Sequence, residues 1–543
     1  MSTRTNHWLV WLQDSALIAC LILVMLGIGF RFGNLNHVYW HDETYTSLRM
    51  SGYDAVQVNA NLFDGDLTTV DDLMHYQWPT PERSLADTVR SLATEDSQHP
   101  PLYYILVRQW VTAFGSTIWI ARSLSAFVGL LIFPAIYWLC QELFLFSDIK
   151  QQFAPSQRRL TGGIAMAVVA VSPFHILYAQ EAREYVLWTV LSLMTSAVLL
   201  RALRRRHFSD WGLYACLLAA SLNTHPFEIL VVFGQGIYVL IVEKFRPTRR
   251  FWSYLLAAGG GVVLFVPWLV IMISKGGTGG ASWTAQPIPL LSLVKVWGLN
   301  LVRGFLLTIG DYGFDTWQVY VTLPLLLLLV GYAVYFMVRH TPVRFWLFVL
   351  VLMGSVFVPL ALMDLVLGGQ RSTPARYLVP SILGVQIAIA VLLSLQLSMR
   401  PGNRLRRQFW IGTTTVVLML GIVSGVDILQ ADTSWIKPVN YNLSAVVRVV
   451  DASPKPLVVA SSEGINFGSI FALGHLVEPK TTFLLLDSQQ MPETLDAPTI
   501  PEGFSDVFLL NPVDPFRQKI EQQETTEAEL VFNDFHLFLW KLV

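Results

Sequence analysis

Leu17-Ile18-Ala19-Cys20-Leu21-Ile22-Leu23-Val24-Met25-Leu26-Gly27-Ile28-Gly29-Phe30 runs without a charge, and shortly after it the chain reads Val38-Tyr39-Trp40-His41-Asp42-Glu43. The first stretch is apolar enough to enter a bilayer, and the second places aromatic rings and two carboxylates just past its end. The N-terminal flank is weakly charged and no small-residue cleavage site follows the run. It reads as a retained span rather than a signal peptide.

The rest of the chain extends this pattern. Of 543 residues, 53% are hydrophobic and only 14% charged, with a mean hydropathy of +0.50. A soluble domain carries roughly 25% charged residues. The apolar residues fall in runs long enough to cross a ~30 Å hydrocarbon core. Spans are predicted over 12–30, 118–140, 160–178, 184–203, 210–224, 227–242, 252–273, 318–338, 345–366, 377–398 and 409–427. The predicted class is therefore a mainly α, polytopic membrane protein of about eleven spans, with the lipid bilayer as its partner. The net charge of −1 gives no electrostatic case for nucleic acid. The three cysteines, Cys20, Cys140 and Cys216, make neither a disulfide framework nor a metal spacing.

Basic residues set the orientation. Arg158-Arg159, Arg201 with Arg204-Arg205-Arg206, Lys244 to Arg250, Arg339 with Arg344, and Arg400 to Arg407 all fall on one face of the predicted bundle. The positive-inside rule makes that face cytoplasmic. The N-terminus is then cytoplasmic. The first loop (31–117), the Gly-rich loop (274–317), the short loop 367–376 and the tail lie outside. In the first loop, Ser84 caps a predicted helix with apolar residues at 85, 89 and 92. Leu102 to Phe114 is a second amphipathic stretch, interrupted by Arg108, that suits a helix in the interface.

Composition changes after 427, so the chain divides into a membrane domain, 1–427, and a small extracytoplasmic α/β domain, 428–543. Leu457–Ala460, Phe483–Leu486 and Val507–Leu510 read as strands. Leu443–Val450 and Phe516–Gln523 between them read as helices, a pattern that suits a parallel sheet. No phosphate-binding Gly-rich loop or nucleophile elbow occurs there.

Chemistry-bearing residues gather at the outer ends of the spans. His99-Pro100-Pro101-Leu102-Tyr103-Tyr104 begins with an imidazole pinned before two prolines; a helix start with an incidental His reads the same way. Tyr178-Ala179-Gln180-Glu181-Ala182-Arg183-Glu184-Tyr185 is a tight polar turn between spans. Its Arg183 could bind a phosphate at headgroup depth, with Glu181 and Tyr185 beside it. Asn223-Thr224-His225-Pro226-Phe227 is another outer turn, and Arg371-Ser372-Thr373-Pro374-Ala375-Arg376-Tyr377 puts two arginines outside, against the charge trend. Snorkelling anchors would look alike. Asp311, Tyr312 and Asp315 stand in the Gly-rich loop. His225 has no second histidine at H-x-x-x-H spacing, so no cofactor is certain, and a divalent metal stays an open alternative.

A carboxylate facing arginines suits transfer of a sugar from a phosphate-linked carrier. A base deprotonates the acceptor hydroxyl, and cations stabilise the departing phosphate. In their order, the acidic pair Asp42-Glu43, the His99-Pro100-Pro101 motif, the Glu181-Ala182-Arg183-Glu184-Tyr185 turn and Thr224-His225 resemble the glycosyltransferase family 39/83-like membrane proteins of the GT-C fold. These are relatives of protein O-mannosyltransferases and of the lipid A aminoarabinose transferase. The resemblance covers residues 12–240 and, more loosely, Arg376-Tyr377.

It implies a polyprenyl-phosphate sugar donor and an inverting single displacement onto a lipid, glycan or protein acceptor outside the cytoplasm. Asp42 becomes the expected general base, with Glu43 orienting the acceptor or supporting the base. Arg183 and Arg376 become the contacts to the lipid phosphate, and His99, Glu181, Tyr185, His225 and Tyr377 line the substrate site. One departure is plain: the aminoarabinose transferases carry an acidic–basic pair before the double proline, where this chain has Gln98-His99. A transporter or flippase for a lipid-linked sugar is the alternative reading, and a scaffold whose outer domain binds a partner is a third.

Overall fold

The computed structural model describes residues 2–147, 152–275, 283–307, 317–398, 404–433, 439–487, 498–534 and 536–543, with side chains from residue 15 onward. The chain divides into two units. One comprises Met1–Asn34, Ser97–Tyr103 and Arg122–Gln430; the other comprises Leu35–Asp96, Tyr104–Ala121 and Ala431–Val543. The sequence reading parted the chain at 427 and left the first loop with the membrane domain. The structure groups most of that loop with the tail instead.

The first unit is helical. Seven of its described helices are long and apolar enough to cross a membrane, or nine segments if each of two bent pairs counts as one span. The two pairs are Pro155–Val171 with Pro173–Ala179, and Val343–Gly354 with Phe357–Leu367. Phe208–Leu222 and Glu228–Val242 are shorter apolar helices. Every predicted span therefore falls on a helix or a bent pair, and the protein is a membrane protein. The helix Val379–Ser398 is buried along most of its length and packs against Pro155–Val171, Val343–Gly354 and Trp317–His340. Lipid tails offer no hydrophobic gain for helix association, so close contact relies on small residues. Gly27 shows this: a Cβ there would stand 2.5 Å from the Ala170 carbonyl oxygen.

The bend of 62° between Pro155–Val171 and Pro173–Ala179 has a sequence cause. Pro173 has no amide hydrogen, so the carbonyl four residues earlier, Val169, loses its helical partner. Arg31, fully buried at the end of the first span, supplies replacements: Nη2 donates to Val169 O at 3.2 Å, and Nη1 to Ala170 O at 3.0 Å and Gly27 O at 2.8 Å. On the other side, Ser172 Oγ donates to Gly304 O at 2.8 Å, and Gln386 Nε2 donates to Ser172 Oγ and Gly304 O, both at 3.1 Å. Gln386 Oε1 in turn meets His175 Nε2 at 2.9 Å. The broken span thus ends in a braced turn rather than a loose one.

The second unit is built on a sheet of six strands: β1 Asp64–Thr69, β2 Pro456–Ser461, β3 Thr482–Leu486, β4 Asp506–Leu510, β5 Ala528–Asp534 and β6 Leu537–Leu542. Their spatial order is β1-β3-β2-β4-β6-β5. β2 runs parallel to both β3 and β4, and the remaining pairs are antiparallel. Every residue of β2 is buried, as expected of a parallel strand covered on both faces. Its side chains alternate accordingly. Val458 and Ala460 join the core formed with Phe483, Leu485, Phe508 and helix Asn466–Gly474; Leu457 and Val459 join the one formed with Leu484, Leu509, Phe516 and Ile520. The three predicted strands and two predicted helices of the tail are all present. The sequence pattern does not announce β1, contributed by the first loop, nor β5 and β6 at the end of the tail.

The loop helices are held by polar contacts. Ser84 caps Leu85–Glu95 as expected: Ser84 N and Oγ both donate to Asp87 Oδ2, at 2.8 and 2.7 Å. Arg108, in helix Leu102–Phe114, does not reach out to solvent. It is buried and donates to Met50 O at 2.6 Å, to Thr88 Oγ1 at 3.3 Å and to Arg83 O. Glu95 joins three segments at once: Oε2 accepts Arg49 Nη1 at 2.8 Å and Ala55 N at 2.7 Å, and Oε1 accepts Val56 N at 3.1 Å. Glu95→Ala leaves the buried Arg49 guanidinium and two helix-start amides short of their acceptor. It is expected to destabilise this unit by about 2 kcal/mol, read as faster hydrogen exchange over residues 41–62 of the full-length protein.

Candidate functional site

The turn Gln180–Glu184 follows the braced helix Pro173–Ala179 and precedes the span Tyr185–Arg205. Its backbone is tight, with Gln180 N donating to Leu177 O at 3.0 Å and Arg183 N to Glu181 O at 2.8 Å. Gln180 Nε2 anchors it to Phe30 O at 2.7 Å. A second motif comes to the same place because Leu102 N donates to Asn223 O at 3.0 Å. That bond ties the His99-Pro100-Pro101 segment to the Asn223-Thr224-His225 turn.

Glu184 organises the side chains. It is fully buried; Oε1 meets His99 Nδ1 at 3.0 Å and Oε2 lies 3.5 Å from Arg183 Nε. Arg183 Nη2 is 3.4 Å from both His99 Nε2 and the Tyr185 hydroxyl. Burial alone would push the Glu184 carboxyl up, but the Arg183 guanidinium and His99 outweigh it and hold it below the ordinary carboxylate range. His225 lies within electrostatic reach of Glu184, His99, Arg183 and Arg376. Its ring stacks on Trp188, centroids 4.1 Å apart and 9° between planes, and it also meets Tyr377 at 6.1 Å. Arg376 lies over the Tyr377 ring at 5.5 Å.

The structure thus brings together His99, Arg183, Tyr185, His225, Arg376 and Tyr377 within the first unit. Glu181 is buried in the same turn, within reach of Tyr178, which also senses Arg376 and Arg303. The two arginines of the 371–376 segment part company. Arg371 is structural: its N and Nη1 donate to Asp364 Oδ1 at 2.8 and 3.3 Å. Asp364 also takes Ser372 N and Oγ, while Asn300 Nδ2 holds Thr373 O at 2.8 Å. That scaffold sets the 3-10 turn Ala375–Leu378 carrying Arg376. Sequence reasoning missed Glu184 as the organiser and Trp188 as the platform; the turn's second carboxylate was the one available signal. Asp311, Tyr312 and Asp315 lie outside the described residues. Among the described residues, no three His, Cys, Asp or Glu side chains are arranged to hold a metal ion.

Asp42 and Glu43 belong to the second unit, in the first turn of helix His41–Ser51. Acidic residues there complement the helix dipole. Glu43 is fully buried and its Oε2 accepts Trp40 N at 3.5 Å, whereas Asp42 is partly exposed. Thr44 Oγ1 donates to Gly468 O at 3.3 Å and His41 N to Asn440 Oδ1 at 2.9 Å, which seats the helix on Asn466–Gly474 of the same unit. The helix closes at Gly52, φ 88°, with Tyr53 N returning to Leu48 O at 3.2 Å.

No family model and no curated protein matches the sequence. Solved structures do. ArnT from Cupriavidus metallidurans bound to undecaprenyl phosphate aligns at TM-score 0.55 and 12% identity, over 100% of this chain and 98% of that one. The apo form of the same protein aligns at 0.53 and 12% identity, over 99% and 98%. The chain has the GT-C fold. At this identity the likeness speaks for the fold alone.

Glu184→Gln keeps the shape of the cluster and removes the charge facing Arg183 and His99. The carboxyl is held below its ordinary value, so its contribution is complete above about pH 4.5 and fades as pH falls toward the lowered folded value. The variant is expected to lose about 2–4 kcal/mol at pH 7. Thermal unfolding in detergent should show a smaller gap from wild type at pH 3 than at pH 7.

Proposed function

We propose that this protein is a glycosyltransferase that moves a sugar from a polyprenyl-phosphate carrier to an extracytoplasmic acceptor by inverting single displacement. The observation that carries this reading is the cluster of buried Arg183 and His225 with the half-buried His99 and Arg376 in a GT-C fold. Cations and ring N–H groups converging on one place, with Glu184 holding two of them, suit the phosphate of a lipid-linked donor. Undecaprenyl phosphate bound to the ArnT structure supports a carrier of that class.

In this reading Arg183 and Arg376 bind the carrier phosphate and stabilise the charge that grows as the glycosidic bond breaks. Asp42 takes the proton of the acceptor hydroxyl, which attacks the anomeric carbon from the face opposite the phosphate. Its partial exposure suits a base that must meet a substrate. Glu43, buried beneath the same helix turn, supports that base. Tyr185 and Tyr377 supply flat faces for the sugar or the first isoprene units, and His225 supplies a ring N–H to the phosphate. The reading carries eleven spans, a cytoplasmic N-terminus and an extracytoplasmic tail.

The test is to incubate the purified protein with a panel of polyprenyl-phosphate sugars and follow donor consumption. Asp42→Asn is expected to fold and reach the membrane yet lose transfer by about 10³-fold or more, as removal of a general base does. Arg183→Ala is expected to raise KM for the donor about tenfold or more. Wild-type transfer by Asp42→Asn would remove the base assignment. Carrier movement across vesicles without sugar transfer would replace the enzyme with a transporter.

A further inference from the structure

One buried carboxylate is left unused by this chemistry. Glu228 opens the helix Glu228–Val242 and has no exposed surface. Its Oε2 accepts the indole N–H of Trp188 at 2.7 Å and its Oε1 accepts Thr195 Oγ1 at 3.3 Å. The hydroxyls of Ser192 and Ser221 lie beside it. These donors are neutral, and the two hydrogen bonds run to the neighbouring span Tyr185–Arg205 rather than to amides of its own first turn. A carboxylate among apolar spans is costly, and it persists where it has work to do.

The work is visible one residue further on. Trp188, held by Glu228 at its N–H edge, stacks on His225 with ring centroids 4.1 Å apart and 9° between planes. His225 Nδ1 accepts the Phe227 backbone N–H at 3.3 Å. In the neutral ring that leaves the proton on Nε2, because one nitrogen donates while the other accepts. The imidazole is therefore fixed twice: by a backbone amide that selects its tautomer and by an indole that selects its plane. Its remaining nitrogen is a donor, and its electrostatic neighbours are Glu184, His99, Arg183 and Arg376.

We propose that Glu228 is a positioning residue which, through Trp188, sets the plane of His225 so that the imidazole Nε2–H is presented to the phosphate of the lipid-linked donor. This rests on the glycosyltransferase reading above. Thr195 steadies the second oxygen of the same carboxylate, so that the carboxyl plane, and with it the indole, has one orientation. The chain of contacts is carboxylate to indole, indole face to imidazole face, imidazole to phosphate. No proton moves along it.

Binding of undecaprenyl phosphate to the purified full-length protein in nanodiscs tests the idea, with thermal unfolding of each variant recorded alongside. His225→Ala is expected to weaken binding about tenfold, the scale of one hydrogen bond to a charged oxygen. Glu228→Ala and Trp188→Phe should each weaken it by a similar factor in the wild-type background. Neither should add more than about twofold once His225 is alanine, because residues acting through one another are not additive. Glu228→Gln, whose amide oxygen can still accept the indole N–H, should recover binding to within about threefold of wild type. A merely structural Glu228 would instead give losses that follow unfolding temperature and persist undiminished in the His225→Ala background. That result, or wild-type binding by Glu228→Ala, overturns the inference while leaving the proposed function standing. Failure of the wild-type protein to bind undecaprenyl phosphate overturns both.

Discussion

The missing amide hydrogen of Pro173 is the constraint from which the polar site of the first unit follows. A straight helix through 155–179 would carry its last turn onward; instead the chain turns by 62° and leaves carbonyls without partners in apolar surroundings. Such groups cost several kcal/mol each in a bilayer. Arg31 answers that need with two carbonyl contacts in the broken turn, and Ser172, Gln386 and Gly304 lock the other side. The arginine at the end of the first span thus acts as a bracket for a break in another helix. Gln180, bonded to Phe30 O, continues the same attachment. The turn that carries Arg183 and Glu184 is held on its entering side.

The second unit uses different physics for a similar end. A continuous apolar strand, β2, is buried on both faces between two hydrophobic cores, and the helix carrying Asp42 is seated on the helix that follows that strand. Glu43 and Asp42 are adjacent in sequence but separate in environment: one is enclosed and bonded to the backbone at the helix start, the other is partly open. Neighbours on a helix point about 100° apart, and that angle is enough to give two carboxylates distinct environments.

Much of this was legible from residues alone. Apolar runs announced every span, Ser84 with Asp87 announced a capped helix, and the apolar clusters of the tail announced its parallel strands. β1 escaped notice because Asp64-Gly65-Asp66-Leu67-Thr68-Thr69 has no apolar alternation; it becomes a strand by lying along β3. Arg371 and Arg376 looked equivalent, five residues apart on one loop. Only the fold shows that Asp364 binds one of them and that the other joins the His225 cluster. Glu184 was one of two carboxylates in a turn, and its reach to His99 crosses 85 residues of chain.

The sequence by itself determined that the protein lives in a bilayer, roughly where its helices begin and end, and which short motifs hold the chemistry-bearing side chains. These are local properties, set by the length of an apolar run, the caps at its ends and the φ restriction of proline. The tertiary structure decided which of those side chains meet: that Arg31 braces Pro173, that Glu184 draws His99 and Arg183 together, and that the first loop lends a strand to the tail. Those outcomes depend on charge pairing, buried donors and strand edges between residues far apart in the chain, and no local pattern encodes the partner a buried polar group will find.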